Sequence, residues 1–134
     1  DADIICTATT SSTPVFHYQD LKSGVHINGV GSFQPSMQEI DSETIKNALV
    51  FVDSRESALS ETGDLTIPIQ EGIIGKNHLR AEIGELLENP SLGRKTPDEI
   101  TFFKSCGVAV QDVVAAGMAL EQAKKHNLGR IIRM

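Results

Sequence analysis

The chain has 134 residues, a formal charge of −6 and two cysteines. That length suits one domain with a sizeable core. Acids and bases are interspersed, which argues against a nucleic-acid or anionic-membrane surface, and no apolar run reaches the roughly 18–20 residues needed to span a bilayer.

There is no signal-peptide pattern. Cys6 and Cys106 both lie in apolar neighbourhoods, which predicts two free, mostly buried thiols in a reducing cytosol and hence a cytoplasmic protein. His17, His26, His78 and His126 have no metal-ligand spacing to one another or to the cysteines, so no metal site is expected. The chain opens on Asp1 and runs at once into a strand-like segment. This reads as the end of a βα unit, as in a piece of a longer protein.

In chain order, "DIICTA" (3–8) is a buried-type strand and "TTSSTP" its turn-rich exit. "GVHING" supplies a second strand over Val25–Asn28. In "SMQEIDSETIKNA", the Ser36-x-x-Glu39 spacing and the Asp41/Ser42 pair offer helix caps, predicting a helix near 42–47. "ALVFVDS" gives a third strand, whose Leu49–Val52 run is of the kind found in parallel sheets covered on both faces. "SRESALSETG" reads as a short helix between Ser54 and a terminating Gly63. "DLTIPIQEGII" adds a helical turn or two, with Asp64 as its cap and Pro68 tolerated only near its start. "LRAEIGELLEN" reads as amphipathic, with Ile83, Leu86 and Leu87 on one side.

"TPDEITFFKSCG" carries conflicting signals. Thr96, Pro97 and Glu99 form a capping box, yet "ITFF" is β-branched and aromatic. The β-branched and aromatic run predicts a turn followed by a strand over 100–104. The last element, "VAVQDVVAAGMALEQAKKHN", is a helix with an apolar stripe at Val110, Val113, Val114, Gly117 and Met118. Lys124, Lys125 and His126 complement its dipole, and Asn127 and Gly129 can end it. Strands alternating with short helices predict an α/β fold with a mainly parallel sheet.

In such sheets ligands bind at the carboxyl ends of the strands. "CTATTSSTP" places hydroxyl groups at one such end, though a plain turn closing the strand explains it as well. "NGVGS" places Gly29, Gly31 and Ser32 at the next end, where glycine lets a ligand approach the backbone. It is half of a G-x-G-x-x-G fingerprint, but Gln34 stands at the sixth position and no long helix starts at Gly31, so the phosphate site of the true motif is not assembled. "FKSCG" offers Lys104, Ser105 and Cys106 at a strand-to-helix junction. No base stands ready to activate Cys106 as a nucleophile. Asp112 reads as a first-turn charge, and Glu61, Asp64 and Glu71 as a solvated face.

Together, "ADIICTATTSSTPVF", "GVHINGVGSFQPSMQEID", "VFVDSRESALSETGDLTIPIQEG", "EIGELL" and "DEITFFKSCGVAVQDVVAAGMALEQA" resemble the C-terminal part of the ornithine cyclodeaminase/μ-crystallin family. The resemblance runs in order over nearly the whole chain. It implies a partial Rossmann fold: the second half of an NAD(P)-binding domain over about 1–75, then a C-terminal crossing segment and helix over about 76–134. It implies NAD or NADP as cofactor, a small amino or imino acid as substrate, and a homo-oligomer such as a dimer.

The pyrophosphate-binding glycines and the substrate Lys and Arg of the family would lie upstream, so this piece alone should be inactive. By the same resemblance Thr9, Val30, Gly31, Ser32 and Ser105 match cofactor-contacting positions, and Cys106 a substrate-facing one. Phe33 stands where cyclodeaminases and related alanine dehydrogenases have Asp, and Met37 where cyclodeaminases have Lys. A carboxylate can shuttle a proton at an iminium carbon and a phenyl ring cannot. This favours imine reduction over cyclodeamination. Cyclodeaminase and a nucleotide-binding structural protein of the μ-crystallin kind remain the alternatives.

Overall fold

The computed structural model describes residues 2–130 and 132. Five short strands form one sheet: β1 (Ile4–Thr7), β2 (His26–Gly29), β3 (Leu49–Val52), β4 (Leu79–Glu82) and β5 (Thr101–Lys104). Their spatial order is β1-β2-β5-β3-β4 and every pairing is parallel. The last strand in sequence therefore sits in the middle of the sheet.

Among the described residues there are five α-helices, α1 (Ser42–Asn47), α2 (Arg55–Glu61), α3 (Gly63–Gln70), α4 (Ile83–Glu88) and α5 (Ala109–Lys125), the last of which buries no residue. α1 begins at Asp41, whose carboxylate accepts from Thr44 N. α2 begins at Ser54, whose hydroxyl accepts from Ser57 N. These side chains satisfy amides that a helix start leaves without partners. The end of α5 follows the expected pattern: Asn127 takes the left-handed conformation at φ 54°, and Leu128 N donates back to Ala123 O at 2.8 Å.

One face of the sheet carries the core. Ile27, Val50, Val52 and Phe102 pack with Ile40, Ile45, Ala58 and Leu65 from the α1–α3 side. β3 is buried on both faces, with Phe51 turned to the other side beside Ile83 and Leu86. β1 is covered less well: Ile4 is 62% exposed, and β1 hydrogen-bonds only to β2 among the described residues.

Several expectations need correction. Gly63 does not end α2; it opens α3, packed so tightly that a Cβ there would lie 2.2 Å from Met37 O. Thr62, not Asp64, caps α3, and Pro68 sits well inside that helix. Asp64 belongs to no solvated face, being fully buried. "LRAEIGELLEN" begins as strand β4, with Leu79 and Ala81 buried and Arg80 exposed, and becomes helical only at Ile83. Both cysteines are free, but Cys6 is exposed and Cys106 half-buried. Only half of the Thr96–Glu99 box forms, and without a helix: Glu99 accepts from Thr96 N and Lys95 N ahead of β5, while Glu99 N donates to the Thr96 carbonyl.

Candidate functional site

The register brings four strand ends level. Thr7 pairs with Gly29, Gly29 with Lys104, and Lys104 with Val52. The loops that leave these ends carry every residue singled out from sequence, so Thr9, Val30, Gly31, Ser32, Phe33, Ser105 and Cys106 all lie along one edge of the sheet. Ser105 N donates to Gly29 O at 3.0 Å and Val30 N to Thr7 O at 2.8 Å, which extends the ladder into the loops.

Their accessibility differs. Thr9 is exposed, Val30 and Phe33 are 52% and 57% exposed, and Ser105 and Cys106 are half-buried. Val30 and Phe33 thus present apolar surface just past the end of β2. Ser32 is fully buried, and its hydroxyl donates to Met37 O at 2.6 Å and meets Thr62 Oγ1 at 2.8 Å. It fixes its loop from within. Gly31 has no room for a side chain, since a Cβ would lie 2.1 Å from Thr9 O and 2.5 Å from Glu39 Oε1. Its glycine serves internal packing of two loops, not only the approach of a ligand. Met37 is buried.

Three carboxylates organise this edge, and sequence reasoning gave none of them that role. Glu39 is fully buried between the loops after β1 and β2. Its Oε1 accepts from Thr9 N at 2.6 Å; its Oε2 accepts from Thr7 Oγ1 at 3.0 Å, Gly31 N at 2.8 Å and Ser32 N at 3.1 Å. Burial alone would raise its pKa, but the hydrogen bonds from Thr9, Thr7 and Gly31 outweigh that and hold it below the ordinary carboxylate value.

Asp64 lies beneath Glu39. Its Oδ1 accepts from Glu39 N at 2.7 Å and Ile40 N at 3.1 Å, and its Oδ2 lies 3.4 Å from Lys104 Nζ. Asp53, at the end of β3, gathers the junction after β5: its Oδ2 accepts from Ser105 Oγ at 3.2 Å, Cys106 N at 2.8 Å and Gly107 N at 2.7 Å. Cys106 is pushed up to about 11 by burial, with Asp53 adding to the effect. A thiol so rarely ionised makes a poor nucleophile near neutral pH. Among the described residues no cluster of His, Cys, Asp and Glu could hold a metal ion.

A parallel sheet whose helices leave the carboxyl ends open, with glycine-bearing loops there, defines a Rossmann-like α/β protein. The comparisons carry this further. The model of the ornithine cyclodeaminase/mu-crystallin family matches residues 1–127, and the chain belongs to that family. A Δ1-pyrroline-2-carboxylate reductase of Bacillus cereus is 48% identical over 133 residues, covering 98% of this chain and 41% of that protein.

Among solved structures, Thermococcus litoralis Δ1-pyrroline-2-carboxylate reductase in complex with NADH and L-proline matches with a TM-score of 0.91 at 40% identity, over 98% of this chain and 41% of that one. An archaeal alanine dehydrogenase dimer with bound NAD matches with a TM-score of 0.87 at 36% identity, again over 98% and 41%. The chain thus spans about two-fifths of the length of the relatives it matches.

Proposed function

We propose that the chain is part of an NAD(P)-dependent oxidoreductase that interconverts amino and imino acids, most simply a Δ1-pyrroline-2-carboxylate or related ketimine reductase. The observation that carries this reading is the level row of strand ends, whose exit loops carry the exposed Thr9, Val30 and Phe33 and the Ser105/Cys106 junction; the crevice these loops would border is the proposed cofactor site. That donor set fits a nicotinamide nucleotide: apolar faces from Val30 and Phe33 for a ring, and hydroxyl groups from Thr9 and Ser105 for its polar substituents.

When bound, a nicotinamide supplies the hydride that reduces the imino carbon. The work of this chain is then to bind, orient and exclude water. Asp53 sets the Ser105 hydroxyl and the backbone that carries Cys106 toward the substrate side. The loop holding Val30, Gly31 and Phe33 shields the reacting face. Ser32 keeps that loop in shape through Met37 and Thr62. Residues of about 1–75 form the cofactor half-domain, and those of about 76–134 the crossing segment and helix.

Phe33 separates the two chemistries. A phenyl ring can exclude water but cannot activate it, which favours reduction over an ammonia-releasing cyclisation. We further propose that the whole protein is a cytoplasmic homodimer. No described helix is long and apolar enough to cross a membrane, and the alanine dehydrogenase relative is a dimer.

The test is an assay of the full-length protein. The expected result is NADH- or NADPH-dependent reduction of Δ1-pyrroline-2-carboxylate. Ammonia release from ornithine with no net change in NADH would instead establish the cyclodeaminase. Tight NADPH binding with turnover far below that of enzymes would establish a structural nucleotide-binding protein.

A further inference from the structure

Glu39 stands six residues past Phe33 of the loop that would meet the cofactor and has no access to solvent, so it touches no ligand. Nonetheless it is the group on which that crevice converges. One carboxylate receives backbone amides from both loops, Thr9 from the first and Gly31 and Ser32 from the second, together with the Thr7 hydroxyl at the end of β1. The four donors come from two strand exits.

Two further features point the same way. The side-chain space at Gly31 is filled by Thr9 and by Glu39 Oε1, so the second loop can close on the first only over this carboxylate. The Glu39 backbone is itself fixed from below, because its N–H and that of Ile40 both donate to Asp64. Without the carboxylate, three buried or half-buried amides would lack an acceptor, and the loops would open to find water.

We propose that Glu39 is a positioning residue that holds the loops after β1 and β2 in the arrangement a nicotinamide nucleotide binds. This rests on the cofactor reading above. A preformed crevice saves the ligand the cost of ordering two loops, so the role of Glu39 is read in cofactor affinity. Glu39→Gln is nearly isosteric, but its amide nitrogen must face a backbone N–H, either that of Thr9 or those of Gly31 and Ser32.

The experiment is fluorescence titration of the full-length protein with NADH and NADPH, reporting Kd and the number of sites separately. For Glu39→Gln we expect Kd to rise about tenfold or more, roughly 1.4 kcal/mol, at an unchanged number of sites. A variant with unchanged Kd and only a reduced number of sites or a lower Tm would overturn the proposal, since a purely structural role removes folded protein without weakening what remains. If Glu39→Gln does not fold, Thr7→Val decides the matter, because it deletes one hydroxyl donor to Oε2 at nearly constant volume. It should raise Kd about threefold, because only part of the stabilisation lost with one hydrogen bond is felt in cofactor binding; no change would refute the role. Wild-type protein that binds neither nucleotide would defeat the cofactor reading, and this proposal with it.

Discussion

Lys104 Nζ lies 3.4 Å from Asp64 Oδ2, and neither side chain has any solvent exposure. Lys104 Nζ has no hydrogen-bond partner among the described residues. The pair joins the end of the central strand to the first turn of α3, directly under the carboxylate that ties the loops. Breaking a buried pair leaves an uncompensated charge, so Lys104→Met should lower stability by about 3–5 kcal/mol. The double variant Lys104→Met/Asp64→Asn should be less destabilised than the single one, because no charge remains to be hidden. Urea unfolding of both variants checks this, and equal losses would contradict it.

Acid should act on the two buried carboxylates in opposite senses. The folded-state pKa of Glu39 lies below its usual 4.5, so the folded protein binds fewer protons there than the unfolded chain. Its stabilisation is complete above about 4.5 and is lost as pH falls through the lower folded value. Asp64 is raised above its usual 3.8, by burial that Lys104 only partly offsets. Its contribution is greatest at low pH and declines as pH rises through the raised value. The stability difference between wild type and Glu39→Gln should therefore shrink below pH 4.5. A difference that stays constant from pH 6 to pH 3 would show that folding does not lower the Glu39 pKa.

The two thiols should differ in reactivity. Cys6 is exposed, whereas Cys106 is half-buried and its pKa is raised to about 11. At pH 8 only about one Cys106 in a thousand is thiolate. Iodoacetamide should label Cys6 at least about tenfold faster, as read by peptide mass spectrometry. Faster labelling at Cys106 would mean that the β5–α5 junction opens readily.

The apolar stripe on α5 is not buried by any element among the described residues. Val113 is 70% exposed, Val110 and Met118 each 63%, and no α5 residue is buried. With the free edge of β1, this predicts concentration-dependent self-association of the 134-residue chain. Sedimentation velocity should show it, and Val113→Lys/Met118→Lys should weaken it. A clean monomer at high concentration would rule it out.

Local sequence carried much of this architecture. β1, β2, β3, β5, α1, α2 and α5 follow from apolar runs, caps and the helical stripe. β4 was hidden because "LRAE" runs without a break into "IGELLEN"; the signal was the period of two at Leu79 and Ala81. The residues of the crevice were legible as strand exits, since glycine and hydroxyl clusters mark such turns. What organises them was not. Glu39 read as the third residue of a capping box with Ser36, and Asp64 as a helix cap, because both offer plausible partners nearby. Their actual partners lie on other strands and loops: Thr9 is 30 residues from Glu39, and Glu39 is 25 from Asp64. Spacing rules see only neighbours along the chain, so a long-range carboxylate looks like an ordinary cap.

The central place of β5 also bears on how the chain reaches this structure. β2 and β3 do not touch each other as strands; each pairs with β5, which reaches β2 across 75 residues of sequence. Until Thr101–Lys104 has been synthesised, the sheet is two separate pairs with a gap between them. Folding must wait for that late insertion, as expected of a topology dominated by distant contacts. A ribosome-bound chain ending before residue 100 should remain protease-sensitive. One extended past Lys104, with enough linker to clear the exit tunnel, should become resistant in a single step.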